Sequence, residues 1–428
     1  MDMMTQVMKK VNAVFDEKYL DEIAREVGFV TRKRKIDPKE FLEKNILLRL
    51  ESSNSSLEEL AQEFAENGTS ISKQALHKKI NKTAVEFVKK ILSNLQEHML
   101  GEQRHSLASV PCVKNVQIID SSEVRLNNKL KDLFPQVRNQ GAAVKLQALM
   151  DGFNNQIKLL DIRPSKEPDQ AYKEHLFCVA PGDLVIADLG YFSTESFSNI
   201  CAKEGYFLSR YLKSTHVYNP KTKEKINLRA VLSKARERTM EFDIELGASK
   251  FPCRLVANKL PEDAYKKRLN GLKEKYRKDP RLKADSHDSL NQWTIFITNL
   301  PPTVEANILL QLYSLRWQIE LLFKMMKTFL ALRRIEDANQ YRASLSLYVS
   351  LIAMTLLSLV VSTIVDEEIS LYKAGKVFIK NGRRFFSFIN DEKKHAVSWL
   401  SELLSRFALK ESRKKRPSTK RLLELSHA

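Results

Sequence analysis

The sequence predicts an α/β protein with a mixed sheet at its core, a helical region before it and a helical tail after it. From about residue 114, the short apolar or alternating runs VQIIDSS, GAAVKLQALMDG and NQIKLLDIRP are typical of three strands. A helix, a strand, a helix and a strand follow, the pattern of an α/β layer. Residues 1–105 instead show helical periodicity with hardly any Gly or Pro. The 428 residues suffice for two or three domains with at least one large core.

Composition indicates an anionic partner and a reducing compartment. The formal net charge is +19 and the sequence pI is about 9.5. Clustered Lys and Arg gain affinity by displacing counterions from phosphates, so nucleic acid is the first expectation. The four cysteines are widely spaced without a C-x-x-C pair, which predicts neither a disulfide framework nor a zinc site. The N-terminus meets charged residues too early for a signal peptide, so we expect a cytoplasmic protein.

An anionic membrane is the competing partner, because residues 343–365 carry no charge and are long enough to span a bilayer. This segment nevertheless contains seven Ser and Thr residues, and neither a second span nor an aromatic belt accompanies it. The pattern therefore favours a buried core helix and no membrane partner.

The N-terminal region contains a pattern typical of a helix-turn-helix. In SSLEELAQEFAENGTSISKQALHKKI, a Ser cap precedes Leu57, Gly68 breaks the first helix, and a second helix opens near Ser72. The second helix would offer to a DNA groove the side chains that recognition helices use, namely Ser72, Lys73, Gln74, His77 and Lys78. Any two short helices joined by a Gly turn look similar, so this pattern alone leaves DNA binding open.

Beyond the first three strands, the pattern predicts a helix over residues 169–178, the strand DLVIADLGYFS, a helix over 194–203 and the strand YFLSRYLK. A basic stretch with hairpin-like pieces then interrupts this regularity. Residues 213–288 hold 20 Lys and Arg against 11 Asp and Glu, a surplus of nine positive charges. We expect this insertion to contact the polyanion. The tail ends in the run KESRKKRPSTKR, either solvated or phosphate-binding.

Three carboxylates are positioned to meet. Asp120 ends the apolar strand VQII, and Asp188 ends LVIA. The segment YSLRWQIELLFKMMK, residues 313–327, is predicted to be one helix with an apolar flank and a polar stripe. That stripe consists of Tyr313, Arg316, Glu320, Lys324 and Lys327. The alternative interpretation of the stripe is a solvated helix face with ordinary ion pairs. The alternative for each Asp, taken alone, is a turn residue after a strand, which is the more common case.

Asp120, Asp188 and Glu320 together would repel one another unless cations neutralised them. Carboxylate oxygens suit Mg²⁺ or Mn²⁺. Two such ions roughly 3.5 to 4 Å apart activate a nucleophile and stabilise a leaving oxygen in phosphoryl transfer.

The segments IIDSS, IADLGYFS and Y-x2-R-x3-E-x6-K resemble the three signature regions of the DDE transposases of the bacterial insertion-sequence-four family, which have a ribonuclease H-like core. That family interrupts its core with a largely β insertion before the Glu helix, where the basic stretch falls. The resemblance implies that Asp120, Asp188 and Glu320 bind two Mg²⁺ ions, with Mn²⁺ as a substitute. It also implies that the end phosphates are held by Tyr313, Arg316, Lys324 and Lys327.

Two further positions follow from the resemblance. Trp293 matches the place where relatives stack a flipped base beside a hairpinned DNA end, although a single aromatic at a strand start is more often core. Arg210 matches a strand position that contacts DNA, and its alternative is a surface cation. The chain departs from the family where IIDSS lacks the common Asp-Thr pairing, and its N-terminal region resembles relatives only in being helical and basic.

The resemblance implies a cut-and-paste DNA transposase that binds the terminal inverted repeats of its element, dimerises, nicks, closes and reopens a hairpin, and joins target DNA. It would be cytoplasmic and nucleoid-associated when bound to DNA. The alternatives are a metal-dependent nuclease of the same core without strand transfer, a non-catalytic helix-turn-helix regulator, and a membrane-anchored protein.

The predicted division is a helical DNA-binding domain (1–107), the first part of the catalytic core (108–212), a basic β-rich insertion (213–292), the second part of the core (293–365) and a helical basic tail (366–428).

Overall fold

The computed structural model describes residues 3–32, 35–52, 55–97, 110–137, 141–153, 155–278, 288–330, 332–364, 368–391 and 395–410. The chain forms two compact units. Unit 1 comprises Met1–Gln103, Asp120–Glu167 and Trp317–Lys420, and unit 2 comprises Arg104–Ile119, Pro168–Arg316 and Arg421–Ala428.

Helices dominate both ends of the chain and strands its middle. The α-helices are α1 (Met3–Val14), α2 (Glu17–Glu26), α3 (Pro38–Glu51), α4 (Leu57–Glu66), α5 (Lys73–Lys79), α6 (Lys82–Glu97), α7 (Thr194–Ala202), α8 (Leu228–Lys234), α9 (Glu262–Lys278), α10 (Ala306–Ser314), α11 (Trp317–Phe329), α12 (Gln340–Ser362), α13 (Leu371–Ile389) and α14 (Ala396–Phe407). The strands are β1 (Asn115–Leu126), β2 (Ala142–Asp151), β3 (Ile157–Pro164), β4 (Asp183–Ala187), β5 (Tyr206–Arg210), β6 (Val217–Tyr218), β7 (Thr239–Leu246), β8 (Phe251–Lys259), β9 (Trp293–Thr298) and β10 (Arg334–Ile335).

Strand β1 belongs to both units. Its residues 120–126 lie in unit 1, where the order is β3-β2-β1-β10, with β2 and β3 antiparallel and β10 parallel to β1. Its residues 115–119 lie in unit 2 and pair in parallel with β4, which pairs in parallel with β5. From β5 onward the order is β9, β8, β7 and β6, all antiparallel. This large mixed sheet, with helical regions before and after it, confirms the predicted α/β class with a mixed-sheet core.

The basic insertion extends the sheet of unit 2. Strands β6, β7 and β8 add onto β9, so the hairpin-like pieces of the sequence are confirmed as strands. Two helices, α8 and α9, accompany them. The division into five domains at the predicted boundaries stays a prediction.

The long uncharged segment is the core helix α12 of unit 1. It is long and apolar enough to cross a membrane by length and composition, but 83% of its most apolar window is buried inside the protein. Its hydroxyl groups donate to its own backbone: Ser350 Oγ to the Ser346 carbonyl at 2.7 Å and Thr355 Oγ1 to the Leu351 carbonyl at 2.9 Å. Because these donors are satisfied locally, a Ser- and Thr-containing helix can be buried at low cost. This agrees with the prediction of a buried core helix.

Two predicted helices differ in the structure. Residues 169–178 form two 3-10 helices, Asp169–Ala171 and Glu174–Cys178, instead of one α-helix. Residues 313–327 do not form one helix, because α10 ends at Ser314 and α11 begins at Trp317. The Ser314 hydroxyl donates to the Gln311 carbonyl at 2.6 Å, a local bond that competes with the helical ladder and bends helices.

The break changes the predicted polar stripe. The N–H groups of Leu315 and Arg316 turn back to carbonyls three residues earlier, at 3.0 and 3.2 Å. The boundary between the two units lies at the same place: Tyr313 and Arg316 belong to unit 2, and Glu320, Lys324 and Lys327 belong to unit 1. The idea of one helix that carries all five side chains is wrong. Of the basic run KESRKKRPSTKR, all but Lys410 lies outside the described residues.

Candidate active site and nucleic-acid interface

Asp120 and Asp188 follow directly on paired strand residues. In unit 2 the parallel register of β1 and β4 runs from Asn115 opposite Asp183 to Ile119 opposite Ala187. Asp120 and Asp188 are the next residues of the two strands, and both side chains are half-buried. The apolar residues before them are buried, as the sequence pattern predicts. The prediction that a strand ends at Asp188 is confirmed, because β4 ends at Ala187. The prediction that a strand ends at Asp120 is wrong, because β1 continues through Asp120 to Leu126.

The chain turns sharply after Asp188. Residues Leu189–Tyr191 form a 3-10 helix in which the Tyr191 N–H donates to the Asp188 carbonyl at 3.0 Å. Gly190 lies against Asp169, since a Cβ built at Gly190 would be 2.9 Å from Asp169 Oδ2. Ser193 then caps α7, accepting from the Ser196 N–H at 3.4 Å. The Leu-Gly-Tyr turn thus ends β4 directly at the carboxylate.

Helix α11 carries Glu320 in its first turn and the two predicted lysines farther along. Glu320 and Lys327 are half-buried and Lys324 is exposed. Lys324 Nζ lies 5.4 Å from the centre of the Tyr372 ring of α13. The buried residues Ile319, Leu322 and Met326 fill the opposite flank, as the sequence pattern predicts.

Lys327 has two carboxylates in its surroundings within unit 1. Burial lowers the pKa of Lys327 and the neighbouring Arg333 lowers it further, whereas the carboxylates of Glu123 and Asp120 raise it. The structure therefore brings together two of the predicted residues, Asp120 and Lys327.

Sequence reasoning missed Glu123 and Arg333. Glu123 is held by Gln136 Nε2 at 2.6 Å and by the Ser165 hydroxyl at 3.0 Å. Its position three residues after Asp120 in IIDSSE was the available signal, but a single Glu on a strand does not stand out in a chain this highly charged.

The three predicted carboxylates have the chemistry of a hard divalent-cation site, because their oxygens are the ligands that Mg²⁺ and Mn²⁺ prefer. Within the described ranges, however, no group of three or more His, Cys, Asp or Glu side chains lies close enough to hold a metal ion. The donor types fit the ion, but the described residues do not form a preformed metal cage.

Tyr313, Arg316 and Trp293 lie in unit 2. The Tyr313 ring packs on Phe296 of β9, with 5.0 Å between ring centres, and Arg316 is half-buried just after α10. Trp293 begins β9 and is only 2% exposed, with Lys259 Nζ 5.7 Å from its ring. This burial is typical of a core residue, but Trp293 also lines the cationic cavity described next, so its stacking on a flipped base stays a prediction.

A cationic cavity of about 710 Å³ occupies unit 2 beside the end of β5. It reaches Leu189, the residue after Asp188, and includes the predicted Arg210. None of the residues that line it is acidic, and six are basic: Arg210, Lys213, Arg229, Lys267, Arg268 and Lys275. Four of these come from α8 and α9 of the insertion, so the positive surplus seen in the sequence was the signal for them.

The cavity holds Arg210 and Arg268 close enough to repel. Burial lowers the pKa of Arg268, and the charge of Arg210 lowers it further. Arg268 is held in place by the carbonyls of Asn291 at 3.0 Å and Trp293 at 2.6 Å and by Thr294 Oγ1 at 3.0 Å. An anion that binds both guanidinium groups would relieve their repulsion, and phosphate fits their fork geometry.

The two helices and the turn predicted for a helix-turn-helix are present as α4, Gly68 and α5, and their DNA binding stays a prediction. Ser56 and Glu59 form a capping box at the start of α4, and Gly68 has a φ of +82°, which glycine adopts readily. Ser72 caps α5, accepting from the Ala75 N–H at 3.3 Å, and Lys73 pairs with Glu58 at 2.6 Å. All five side chains predicted to face DNA on this helix are exposed.

All four cysteines are free thiols, as their spacing predicts. Burial, together with the nearby Cys201, raises the pKa of the Cys253 thiol to about 12. Cys253 is therefore a weak nucleophile.

Comparison with known proteins assigns a family to this fold. Residues 111–356 match the family described as the transposase DDE domain. The chain is 30% identical over 366 residues to the transposase for insertion sequence element IS231D of Bacillus thuringiensis subsp. finitimus, covering 79% of this chain and 76% of the relative. It is 29% identical over 364 residues to the IS231F transposase of Bacillus thuringiensis subsp. israelensis, with coverages of 79% and 76%.

A relative from another genus covers more of both chains. The transposase for insertion sequence element IS1151 of Clostridium perfringens is 28% identical over 399 residues, which are 86% of this chain and 84% of the relative. Among solved structures, a piggyBac transposase synaptic complex with hairpin DNA aligns with 96% of this chain and 86% of its own, at a TM-score of 0.48 and 11% identity.

Proposed function

This chain belongs to the family of bacterial DDE transposases, and we propose that it excises its own insertion sequence and joins it to target DNA. It is an enzyme that acts on DNA, and membership of the family implies the use of divalent metal ions. In the proposed reaction the chain binds the terminal inverted repeats, nicks each element end, closes and reopens a hairpin, and transfers the freed 3′ hydroxyl to target DNA.

The register of β1 and β4 is the observation that carries this proposal. Asp120 and Asp188 follow directly on the paired residues Ile119 and Ala187. These are the positions at which the family motifs IIDSS and IADLGYFS carry the two metal-binding aspartates. Glu320, in the first turn of α11, is the proposed third ligand.

We propose that Asp120, Asp188 and Glu320 hold two Mg²⁺ ions, which Mn²⁺ can replace. When bound, these ions supply a metal-activated nucleophile and stabilise the leaving oxygen in an in-line displacement at phosphorus. Lys327, close to Asp120, keeps a positive charge beside the carboxylates and the DNA phosphate. The carboxylates of Glu123 and Asp120 oppose the loss of its proton.

The proposed DNA contacts lie on both units. Tyr313 and Arg316 in unit 2 and Lys324 and Lys327 in unit 1 hold phosphates of the element end. Arg210 binds the DNA backbone together with the cations of the cavity, because six basic and no acidic side chains line it. Stacking of a flipped base on Trp293 has the least support, since the ring is 2% exposed. The enzyme is proposed to act as a homodimer in the cytoplasm, associated with the nucleoid when bound to DNA.

Strand cleavage of labelled DNA carrying the ends of the element tests this function. Asp188→Asn and Glu320→Gln keep the size of each side chain and remove its charge. We expect Mg²⁺-dependent nicking and hairpin formation by the wild type, inhibition by EDTA, and no cleavage by either variant. DNA binding in a gel-shift assay should stay close to wild type, because the lost groups are proposed to hold ions.

Asp132→Asn is the matched control, since Asp132 is an exposed carboxylate in the loop after β1. It should cleave at the wild-type rate. Cleavage by Asp188→Asn at that same rate would exclude Asp188 as a ligand. Nicking without hairpins or strand-transfer products would indicate a nuclease of the same core.

A further inference from the structure

A second cationic groove lies in the N-terminal part of unit 1, beside the helix-turn-helix. Its volume is about 740 Å³, and it is enclosed by the segment between α2 and α3, the turn before α5, and the first residues of α6. Its basic side chains are Arg32, Lys35, Lys78 and Lys79, and its lining contains no Asp or Glu.

The segment that leads into this groove is anchored at both ends. Gly28, with a φ of +71°, ends α2, and the Val30 N–H returns to the Ala24 carbonyl at 2.9 Å. Phe29 is buried, stacks on Phe87 at 4.9 Å and contacts Phe41 at 4.9 Å. These contacts hold the start of the segment against the helices.

The far end and one wall of the groove are fixed as well. Ile36 is buried at 8% exposure, and Asp37 caps α3 by accepting from the Lys39 and Glu40 N–H groups. Lys79 Nζ lies 3.6 Å above the Phe29 ring and donates to the Phe29 carbonyl at 2.6 Å. The segment is therefore tied to α5, the helix predicted to enter a DNA groove.

Three of the four cations are open to a partner. Arg32, Lys35 and Lys78 are exposed, and no ion pair joins them to a carboxylate in the part of the chain that the structure describes. Lys73, one turn earlier on α5, is instead paired with Glu58. Among the described residues, the charges of Arg32, Lys35 and Lys78 thus create a local positive potential that attracts phosphates.

We infer that this groove binds the phosphate backbone of the element end, through Arg32 and Lys35 on one wall and Lys78 on the other. The inference rests on the proposed function and adds residues to it. Gln74 and His77, exposed on the same helix, remain the side chains that face base edges. The groove fixes the position and orientation of the helix on the duplex and carries no sequence information, because phosphates are the same at every base pair.

Binding measured over a salt series tests this inference. The probe is a fluorescent duplex carrying the terminal repeat, with a scrambled duplex of the same length for comparison, between 50 and 200 mM NaCl. The double variant Arg32→Ala with Lys35→Ala should reduce the slope of log K against log salt by about 1.8, since each phosphate contact contributes about 0.9. The ratio of affinities for terminal and scrambled duplexes should stay unchanged.

Two further variants separate the inferred role from trivial effects. Lys18→Ala with Lys89→Ala removes two exposed charges from α2 and α6, outside the groove, and should leave the slope at its wild-type value. Arg32→Lys with Lys35→Arg keeps both charges and should restore the slope. Lys33 and Arg34 stay unchanged in every variant.

The outcomes are distinct. The inference would be overturned if the double variant Arg32→Ala with Lys35→Ala had the same salt slope as the control variant. It would also be overturned if this double variant lowered the ratio of affinities for terminal and scrambled duplexes, because that would indicate base reading. Failure of the wild-type chain to bind or cut its own ends would instead refute the proposed function. Cleavage by the double alanine variant should recover at saturating DNA, because its catalytic residues are unchanged.

Discussion

Gly375 lets the C-terminal helix α13 approach the helix that carries Glu320. Gly375 is buried, and a Cβ built there would be 2.3 Å from Met325 Sδ and 2.7 Å from Met325 Cγ, with Phe329 Cδ2 at 3.3 Å. Met325 is 1% exposed, so its side chain has little room to move aside. Gly375→Ala should therefore strain the packing of α13 against α11.

A matched substitution isolates this effect. Gly271 lies in α9, and a Cβ added there meets nothing within 4 Å. Both changes gain about 1 kcal/mol of helix propensity, but only Gly375→Ala incurs an overpacking cost of about 1 to 3 kcal/mol. We expect Gly271→Ala to stabilise the protein by about 1 kcal/mol and Gly375→Ala to destabilise it by about 0 to 2 kcal/mol.

Two measurements check this prediction. Calorimetric unfolding should place the Tm of Gly375→Ala below that of Gly271→Ala. Cleavage of element ends by Gly375→Ala should fall by about 10-fold or more, because a displacement of about 1 Å at a catalytic group can cost 100-fold in rate. Met325→Ala should destabilise the Gly375→Ala variant less than it destabilises the wild type, and the difference between the two losses should be about 0.5 to 3 kcal/mol. The reasoning fails if Gly375→Ala is as stabilising as Gly271→Ala and cleaves at the wild-type rate.

Three further predictions concern buried groups of unit 2. Burial, with Lys173 nearby, lowers the pKa of His175 from 6.5 to about 4. Between pH 6.5 and pH 4 only the unfolded chain takes up this proton, so the free energy of unfolding should fall by up to about 3 kcal/mol as the pH falls over this range. The free energy of urea unfolding of His175→Gln should depend less on pH over the same range. Arg254, 5% exposed, donates to the Glu241 carboxylate and to the carbonyls of Pro301 and Val304. Because Glu241 is exposed, the main effect of Arg254→Leu is to leave the carbonyls without their donor, so it should cost about 1 to 3 kcal/mol in urea unfolding. Arg254→Lys should recover only part of this because its single ammonium cannot reach all three acceptors. With a thiol pKa of about 12, Cys253 should react with iodoacetamide at pH 8 more slowly than Cys112, as followed by mass spectrometry, and equal rates would contradict the burial argument.

Local patterns in the sequence identified most elements of this fold and the family. Alternating and apolar runs located β1, β2, β3, β4 and β5, because burial of one or both strand faces leaves a period that can be read directly. Caps such as Ser56 and Ser72 located the helix-turn-helix, since side chain to backbone bonds act within a few residues. The spacing of Tyr313, Arg316, Glu320 and Lys327 identified the family although the chain does not run through these residues as one helix.

Tertiary structure decided what depends on groups far apart in the sequence. The end of α10 at Ser314 could not be predicted, since no Gly or Pro marks it and a single hydroxyl bond competes with the helical ladder there. The burial of Trp293 and the meeting of Arg210 with Arg268 depend on how α9 and the strands of unit 2 pack. Likewise, the closeness of Lys327 to Asp120 and Glu123 joins a helix to a strand more than two hundred residues earlier. Periodicity records which side of an element is buried, but the partner across the core is chosen by packing, which sums many weak contacts that no local pattern contains.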